Sequence, residues 1–261
     1  MTSDDPVGPR VIAVGAGKGG VGKSTVALHL ALALRTHGPV GILDFDFYGP
    51  NIPAMLGMQH VKWTNEWILA RRERPVTFRP IEREGLFVVS MGFVLGEDQP
   101  LGMDPNTAAI LAKQLTRDVE WPDLGYLVID LPPGTSAVQH MLLRAVRPDV
   151  AIVVVTPHLL AHVDGRKAVQ MFRTMKIPVA GGVENMSAVP CPHCGREISL
   201  FEEIPADRSI WDLGVARLGD VPFDQSLARS VTDGTLEGVS SVMFASIAER
   251  VVAALPPRSA A

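Results

Sequence analysis

Cysteine is scarce in this chain: there are two among 261 residues, Cys191 and Cys194, in the string CPHC. So few cannot make a disulfide framework in a chain of this length, and their close spacing points to metal or redox chemistry in a reducing compartment. Long apolar runs are also missing. Stretches such as AIVVV fall far short of a bilayer crossing. The opening residues MTSDDPVGPR have neither an apolar core nor a cleavage-site pattern, so cytoplasmic residence with no membrane partner is expected. An excess of positive charge is absent as well. With 24 basic and 28 acidic residues the formal net charge is -4, a balance that does not favour nucleic acid as a partner.

What the chain does have is 47% hydrophobic residues, enough for one substantial core. A single domain is expected over 10–255, between a flexible arm at 1–9 and a flexible tail at 256–261. Short β-branched runs recur: VIAVGA, VGILDFD, LFVVSM, YLVIDLP, VAIVVVTP, PVAGGVEN and VARLGDV. They read as apolar on both faces, the pattern of parallel strands covered by helices on both sides. Helical candidates lie between them at 24–37, 106–118, 136–146, 160–175, 224–232 and 240–255. The alternation predicts an α/β fold with a doubly wound, mostly parallel sheet. Two segments break the rhythm: 58–84, read as an irregular or hairpin insertion, and 186–209, which carries both cysteines.

Residues Gly17 to Ser24 satisfy G-x-x-x-x-G-K-[ST], directly after one predicted strand and before a helix that reads as amphipathic. Gly17, Gly19, Gly20, Val21 and Gly22 form a loop whose backbone amides can converge on phosphates, with Thr25 continuing into the helix whose N-terminus favours an anion. Lys23 is placed to neutralise the β- and γ-phosphates, and Ser24 to offer its hydroxyl to Mg²⁺. Other ligands should fall at strand ends. Asp130, after four apolar residues in YLVID, is positioned to hold Mg²⁺ through a water, against the alternative of a helix N-cap. Asp44 and Asp46 are two apart in LDFD and so face one way, one suited to supporting the metal and the other to orienting water. Lys18 has no counterpart in the ordinary form of this loop; read alone, it is a second cation for the nucleotide or a solvated side chain.

The loop GKGGVGKS resembles the deviant Walker A form of the MinD, ParA and nitrogenase-iron-protein class of P-loop ATPases. Within that class LDFDFYGPNIPAMLG, SMGF, LVIDLPPGT, VENMS and CPHCG, in this order, resemble the Mrp/ApbC family of iron–sulfur cluster carrier ATPases. The resemblance runs from about Val11 to Val252. It implies an ATP-hydrolysing homodimer in which Lys18 reaches the nucleotide of the partner subunit, as an arginine finger does. It implies that Asp46 orients the attacking water, that Asp44 stands on the metal side, and that Asn185 reads adenine through an amide with both donor and acceptor. The chain departs from the family at LGMDPNT (101–107), at Ser136 and Ala137, and at FEEIPADRSIW (201–211).

Cys191 and Cys194 are bracketed by Pro190, Pro192 and Gly195, which stiffen the turn and permit positive φ after the second thiol. A [4Fe–4S] cluster or tetrahedral zinc takes four ligands, and this chain has no third cysteine. A two-fold dimer brings the same loop twice to its axis, and the family resemblance implies a [4Fe–4S] cluster bridging two subunits and delivered to apo iron–sulfur recipient proteins. Zinc on the same four thiolates, a thioredoxin-like redox pair and a structural pair stay open on the residues alone. So do a MinD/ParA-like positioning ATPase with a structural zinc and an electron-donating reductase. His193 reads as solvent-facing. His158 and His162, four apart, lack a third ligand type that would complete a metal motif. The helix at 240–255 carries a single arginine, Arg250, and reads as docked on the core rather than on anionic lipid.

Overall fold

The computed structural model describes residues 8–46, 49–63, 78–93, 110, 114–115, 117–223, 227 and 241–258. An eight-stranded sheet runs through them in the order β10-β7-β6-β1-β5-β2-β4-β3. Its strands are β1 (Arg10–Gly15), β2 (Val40–Asp44), β3 (Ile81–Arg83), β4 (Leu86–Ser90), β5 (Tyr126–Asp130), β6 (Val150–Val155), β7 (Val179–Asn185) and β10 (Arg217–Val221). Every pairing in it is parallel except β3 with β4. Among the described residues five α-helices accompany the strands: α1 (Lys23–Leu34), the short α2 (Ile52–Met55), α3 (Ala137–Val146), α4 (Leu159–Thr174) and α5 (Ser241–Ala254). Among the described residues no helix is long and apolar enough to cross a membrane.

The apolar runs behave as expected at the sheet centre. Every residue of β2 and of β6 is buried, as strands covered on both faces must be. At the edge the expectation fails. β10, read as apolar on both faces, buries Leu218 and Val221 but exposes Arg217 and Asp220, a mixed pattern at the edge of the sheet. The insertion at 58–84 is described only at its ends. Its last residues, β3, form one arm of a hairpin with β4, turning at Glu84 and Gly85, while 64–77 lie outside the described residues. Most of the helical candidates 106–118 and 224–232 lies outside them too.

The reading of α1 as amphipathic is overturned. Eight of its twelve residues are buried, since its inner face packs on the sheet and its outer face is covered by α5. His29 and Phe244 meet across that contact with ring centroids 5.0 Å apart, and burial lowers the His29 pKa. For α5 the expectation of core docking matches: Phe244, Ile247, Ala248 and Val251 are buried against α1 and β10.

The strand order places the chemistry. The chain leaves β1 for β2 on one side of it, while β6, β7 and β10 extend the sheet on the other, so the order reverses at β1 and a crevice opens past its C-terminal end. Parallel strands end on one edge. Register aligns Val14 of β1 with Asp130 of β5, Asp130 with Asp44 of β2, and Asp44 with Ser90 of β4.

Candidate functional site

The loop from Gly15 to Lys23 crosses the open end of β1. Gly20 and Gly22 both have φ of 80°, a conformation that side chains with a Cβ resist, and Gly22 serves as the N-cap of α1. Gly17 lies against the backbone of Asp164 in α4, where a Cβ would overlap the Asp164 carbonyl. Lys18, Gly19, Gly20, Gly22, Lys23, Ser24 and Thr25 line a cleft of about 370 Å³ with Asp46, Asn51, Pro133 and Met186 on its other walls.

At the floor of the cleft two carboxylates flank one ammonium. Lys23 Nζ is 2.5 Å from Asp130 Oδ1, 3.7 Å from Asp46 Oδ2 and 3.2 Å from Ser24 Oγ. Asp44 has no cation of its own. It is fully buried and accepts hydrogen bonds from Ser90 Oγ at 2.9 Å, from the Asp46 amide at 3.1 Å and from the Ile52 amide at 3.3 Å. Burial first, and then the Asp130 charge beside it, pushes the Asp44 pKa up to about 8, against the pull of Lys23. Burial also pushes Asp130 upward, but the ammonium bonded to it acts in the opposite direction. One ammonium cannot offset two buried neighbours. The ammonium touches Asp130 and so favours charge there, whereas Asp44, with no ammonium in contact among the described residues, keeps a pKa raised by burial.

Asp44 therefore sits behind the cleft wall and fixes the segment that carries Asp46 and starts α2, while Asp46 itself faces the cleft. The second carboxylate oxygen of Asp130 is buried with no hydrogen-bond partner among the described residues. Asn185 ends β7 and is 3% exposed; its Nδ2 donates to the Val21 carbonyl at 2.9 Å. The next residue, Met186, has a left-handed φ of 57° and lines the cleft. Sequence reasoning missed Ser90 and Met186 as parts of the site. Both stand in strings it had singled out, SMGF and VENMS, each at a strand end.

The cysteines lie on a separate hairpin formed by β8 (Val189–Pro190) and β9 (Glu197–Ile198). The Cys191 amide donates to the Arg196 carbonyl at 2.8 Å and the Gly195 amide to the Cys191 carbonyl at 2.9 Å, with Gly195 at φ 70°. Both thiols are free; Cys194 is exposed and Cys191 partly so. Arg196 Nε donates to Cys194 Sγ at 3.5 Å, and that contact holds the Cys194 thiol below its ordinary pKa. Among the described residues no group of three or more His, Cys, Asp or Glu could hold a metal, so the two thiols have no third ligand there. His193 is exposed, as read.

His158 and His162 hold neighbouring chain segments. His158 Nδ1 accepts from the Leu160 amide at 3.2 Å and caps α4. His162 is fully buried, and its Nδ1 faces the Ile210 amide and Ser209 Oγ, each at 3.2 Å. The proton then belongs on Nε2, which donates to Glu184 at 3.3 Å. Glu184 also pairs with Arg217 at 2.5 Å, and Arg217 lies over the Trp211 ring.

Comparison with known proteins bears on this geometry. The family model ParA, described as NUBPL iron-transfer P-loop NTPase, matches residues 9–254. The iron-sulfur cluster carrier protein of Escherichia coli K12 is 37% identical over 258 residues, covering 94% of this chain and 67% of that protein. The carrier of the same name from Pyrococcus abyssi is 40% identical, over 85% of this chain and 76% of its own length. The iron-sulfur protein required for NADH dehydrogenase of Arabidopsis thaliana mitochondria is 35% identical, over 88% and 72%. Among solved structures, the nucleotide-binding protein of Archaeoglobus fulgidus in complex with ADP superposes with a TM-score of 0.72 at 33% identity, covering 87% of each chain. The septum site-determining protein MinD of Pyrococcus horikoshii, in complex with Mg-ADP, shares the fold, with a TM-score of 0.67 at 20% identity over 93% and 96%. With a family match across nearly its whole length and a carrier relative at 40% identity, the chain belongs to the ParA family of NUBPL iron-transfer P-loop NTPases.

Proposed function

We propose that the protein is an ATP-hydrolysing iron–sulfur cluster carrier that works as a homodimer, holding a [4Fe–4S] cluster between Cys191 and Cys194 of each subunit and passing it to apoproteins. The observation that carries this reading is the half-site: two free thiols on a short hairpin, one exposed and one partly so, with no further ligand group beside them among the described residues. Two copies supply the four thiolates a cluster takes. Here the cluster is cargo, so solvent-accessible, incompletely ligated thiols suit transfer better than a closed cage.

The nucleotide site supplies the drive. The amides of the Gly19–Lys23 turn and the Lys23 ammonium hold the phosphates, and the phosphates compete with Asp130 for that ammonium. Ser24 and Asp130 are the residues that would hold Mg²⁺. Ser24 Oγ and Asp130 meet on the same ammonium, and the other Asp130 oxygen is buried without a donor among the described residues, so the pair fits a hydrated, oxygen-seeking cation that would offset phosphate charge. Asp46 faces the cleft and orients the water that attacks the γ-phosphorus as the bond to the β-phosphate oxygen breaks, releasing ADP and phosphate. Asp44 keeps Asp46 in place. Asn185 has an amide hydrogen and a carbonyl beyond those used on Val21, and these suit the adenine edge. Lys18 lies on the cleft wall and acts on the nucleotide of the facing subunit.

Anaerobic reconstitution with iron and sulfide tests the cargo. The parent should take up about four irons per dimer with a visible charge-transfer band, and Cys191→Ser/Cys194→Ser should take up none. A parent that binds one zinc per dimer tightly and refuses iron and sulfide would replace the carrier reading with a zinc-bridged ATPase. For the second lysine, Lys18→Ala should lose turnover while keeping ATP affinity; unchanged turnover removes its action across the interface.

A further inference from the structure

Asn185 makes one contact that reading a base does not require. Its Nδ2 donates to the Val21 carbonyl across 164 residues of sequence, at a site where Asn185 is 3% and Val21 2% exposed. The fit is close: a Cβ on Gly22 would overlap the Asn185 amide nitrogen. A loop that turns successive N–H groups toward an anion must turn carbonyls the other way, and a buried carbonyl needs a donor. At Val21 that donor is a side chain from the far end of β7, not a neighbour in the loop.

We propose that Asn185 is a positioning residue for the phosphate loop: by bonding the Val21 carbonyl from behind, it holds the last turn before Lys23 in its phosphate-binding shape, independently of any contact with the base. This rests on the nucleotide-site reading above and on nothing at the cysteines. Glycine at position 22 serves the same contact, since it is both left-handed, at φ 80°, and without a Cβ where the amide lies. The brace also ties the loop to β7, whose end leads through Met186 on the cleft wall to the cysteine hairpin.

The test uses a ligand with no base, inorganic tripolyphosphate with Mg²⁺, beside ATP, with both affinities measured by calorimetry. In Asn185→Ala both should weaken, each by about tenfold, the loss expected when one buried carbonyl forfeits its donor. An unchanged tripolyphosphate affinity with weakened ATP overturns the brace and leaves Asn185 as a base reader only. Asn185→Asp keeps the shape and carries the same comparison should the alanine variant fail to fold. It adds a readout that a purely structural role would not move. As an anion it has no hydrogen for the Val21 carbonyl, and as a carboxylic acid it has one. Its tripolyphosphate affinity relative to the parent at the same pH should therefore recover as pH falls toward about 5. A constant ratio counts against the brace. If the parent binds neither ligand, it is the nucleotide-site reading that fails.

Discussion

The phosphate loop, which follows β1 of the large sheet, and the cysteine turn, which joins the separate β8–β9 hairpin, are both short and glycine-bearing, and they are built in opposite ways. The first is fixed from every side: by Asp164 behind Gly17, by Asn185 behind Val21, and by Asp130 and Asp46 around Lys23. The second is held by its own backbone bonds, with its thiols in or near solvent and one arginine beside them. On the proposed function, a single chain contains nearly all of a nucleotide site and half of a metal site. Rigidity in the first suits a ligand recognised by many amides at once. Exposure in the second suits a cargo that must be completed by a second molecule and then released.

The sharpest break of the comparison is to disable each region alone. Lys23→Ala removes the ammonium that touches Asp130 and should reduce ATP affinity more than about a hundredfold in calorimetry. Cys191→Ser/Cys194→Ser should leave ATP affinity and Tm unchanged, because neither thiol is buried in the core. A fall in Tm with the serine pair would show the hairpin to be structural.

Next in size is one substitution made at both glycines. Gly17→Ala forces the loop off the Asp164 backbone and should cost several kcal/mol, lowering Tm by about 5–10 °C and abolishing ATP binding. Gly195→Ala meets nothing within 4 Å and incurs only the strain of φ 70°, about 1 kcal/mol. Equal shifts in thermal unfolding would erase the difference drawn between the two turns.

A smaller effect is expected from pH. The Asp44 pKa of about 8 in the folded protein lies above its ordinary 3.8, so between those values the native state keeps a proton that the unfolded chain has lost. This group's contribution to stability is therefore full below about pH 4, declines as pH rises toward 8, and levels off above that. Asp44→Asn should flatten the slope of Tm against pH over that window, whatever its effect on Tm itself. The smallest effect belongs to the hairpin. Arg196→Ala should move the pH profile of Cys194 alkylation back up toward that of an ordinary thiol, and an unmoved profile would show that the arginine contact does not persist in solution.

Much of the fold was legible because its signals are local. Continuous apolar runs named the inner strands, and G-x-x-x-x-G-K-S named the loop and the helix after it. The signal failed where the answer depended on a distant segment. α1 reads as amphipathic because it carries a few polar residues, yet α5, more than two hundred residues later, covers its outer face. β10 reads like its fellow strands yet lies at the sheet edge, with Arg217 and Asp220 in solvent. Asp44 and Asp46 look equivalent at a spacing of two; strand pairing with β4 put Ser90 behind the first and left the second facing the cleft.

The sequence by itself determined which groups the chemistry has to use: a phosphate loop with a second lysine, acidic strand ends, and two cysteines with no third. Those are properties of residue type and short spacing, which no folding can alter. Only the tertiary structure decided how they share the work. It buried Asp44 away from the ammonium that touches Asp130, turned Asn185 toward Val21, and kept the thiols apart from any third ligand group among the described residues. Burial and cross-strand neighbours set those outcomes, and both arise from residues too far apart in the chain for any local pattern to connect.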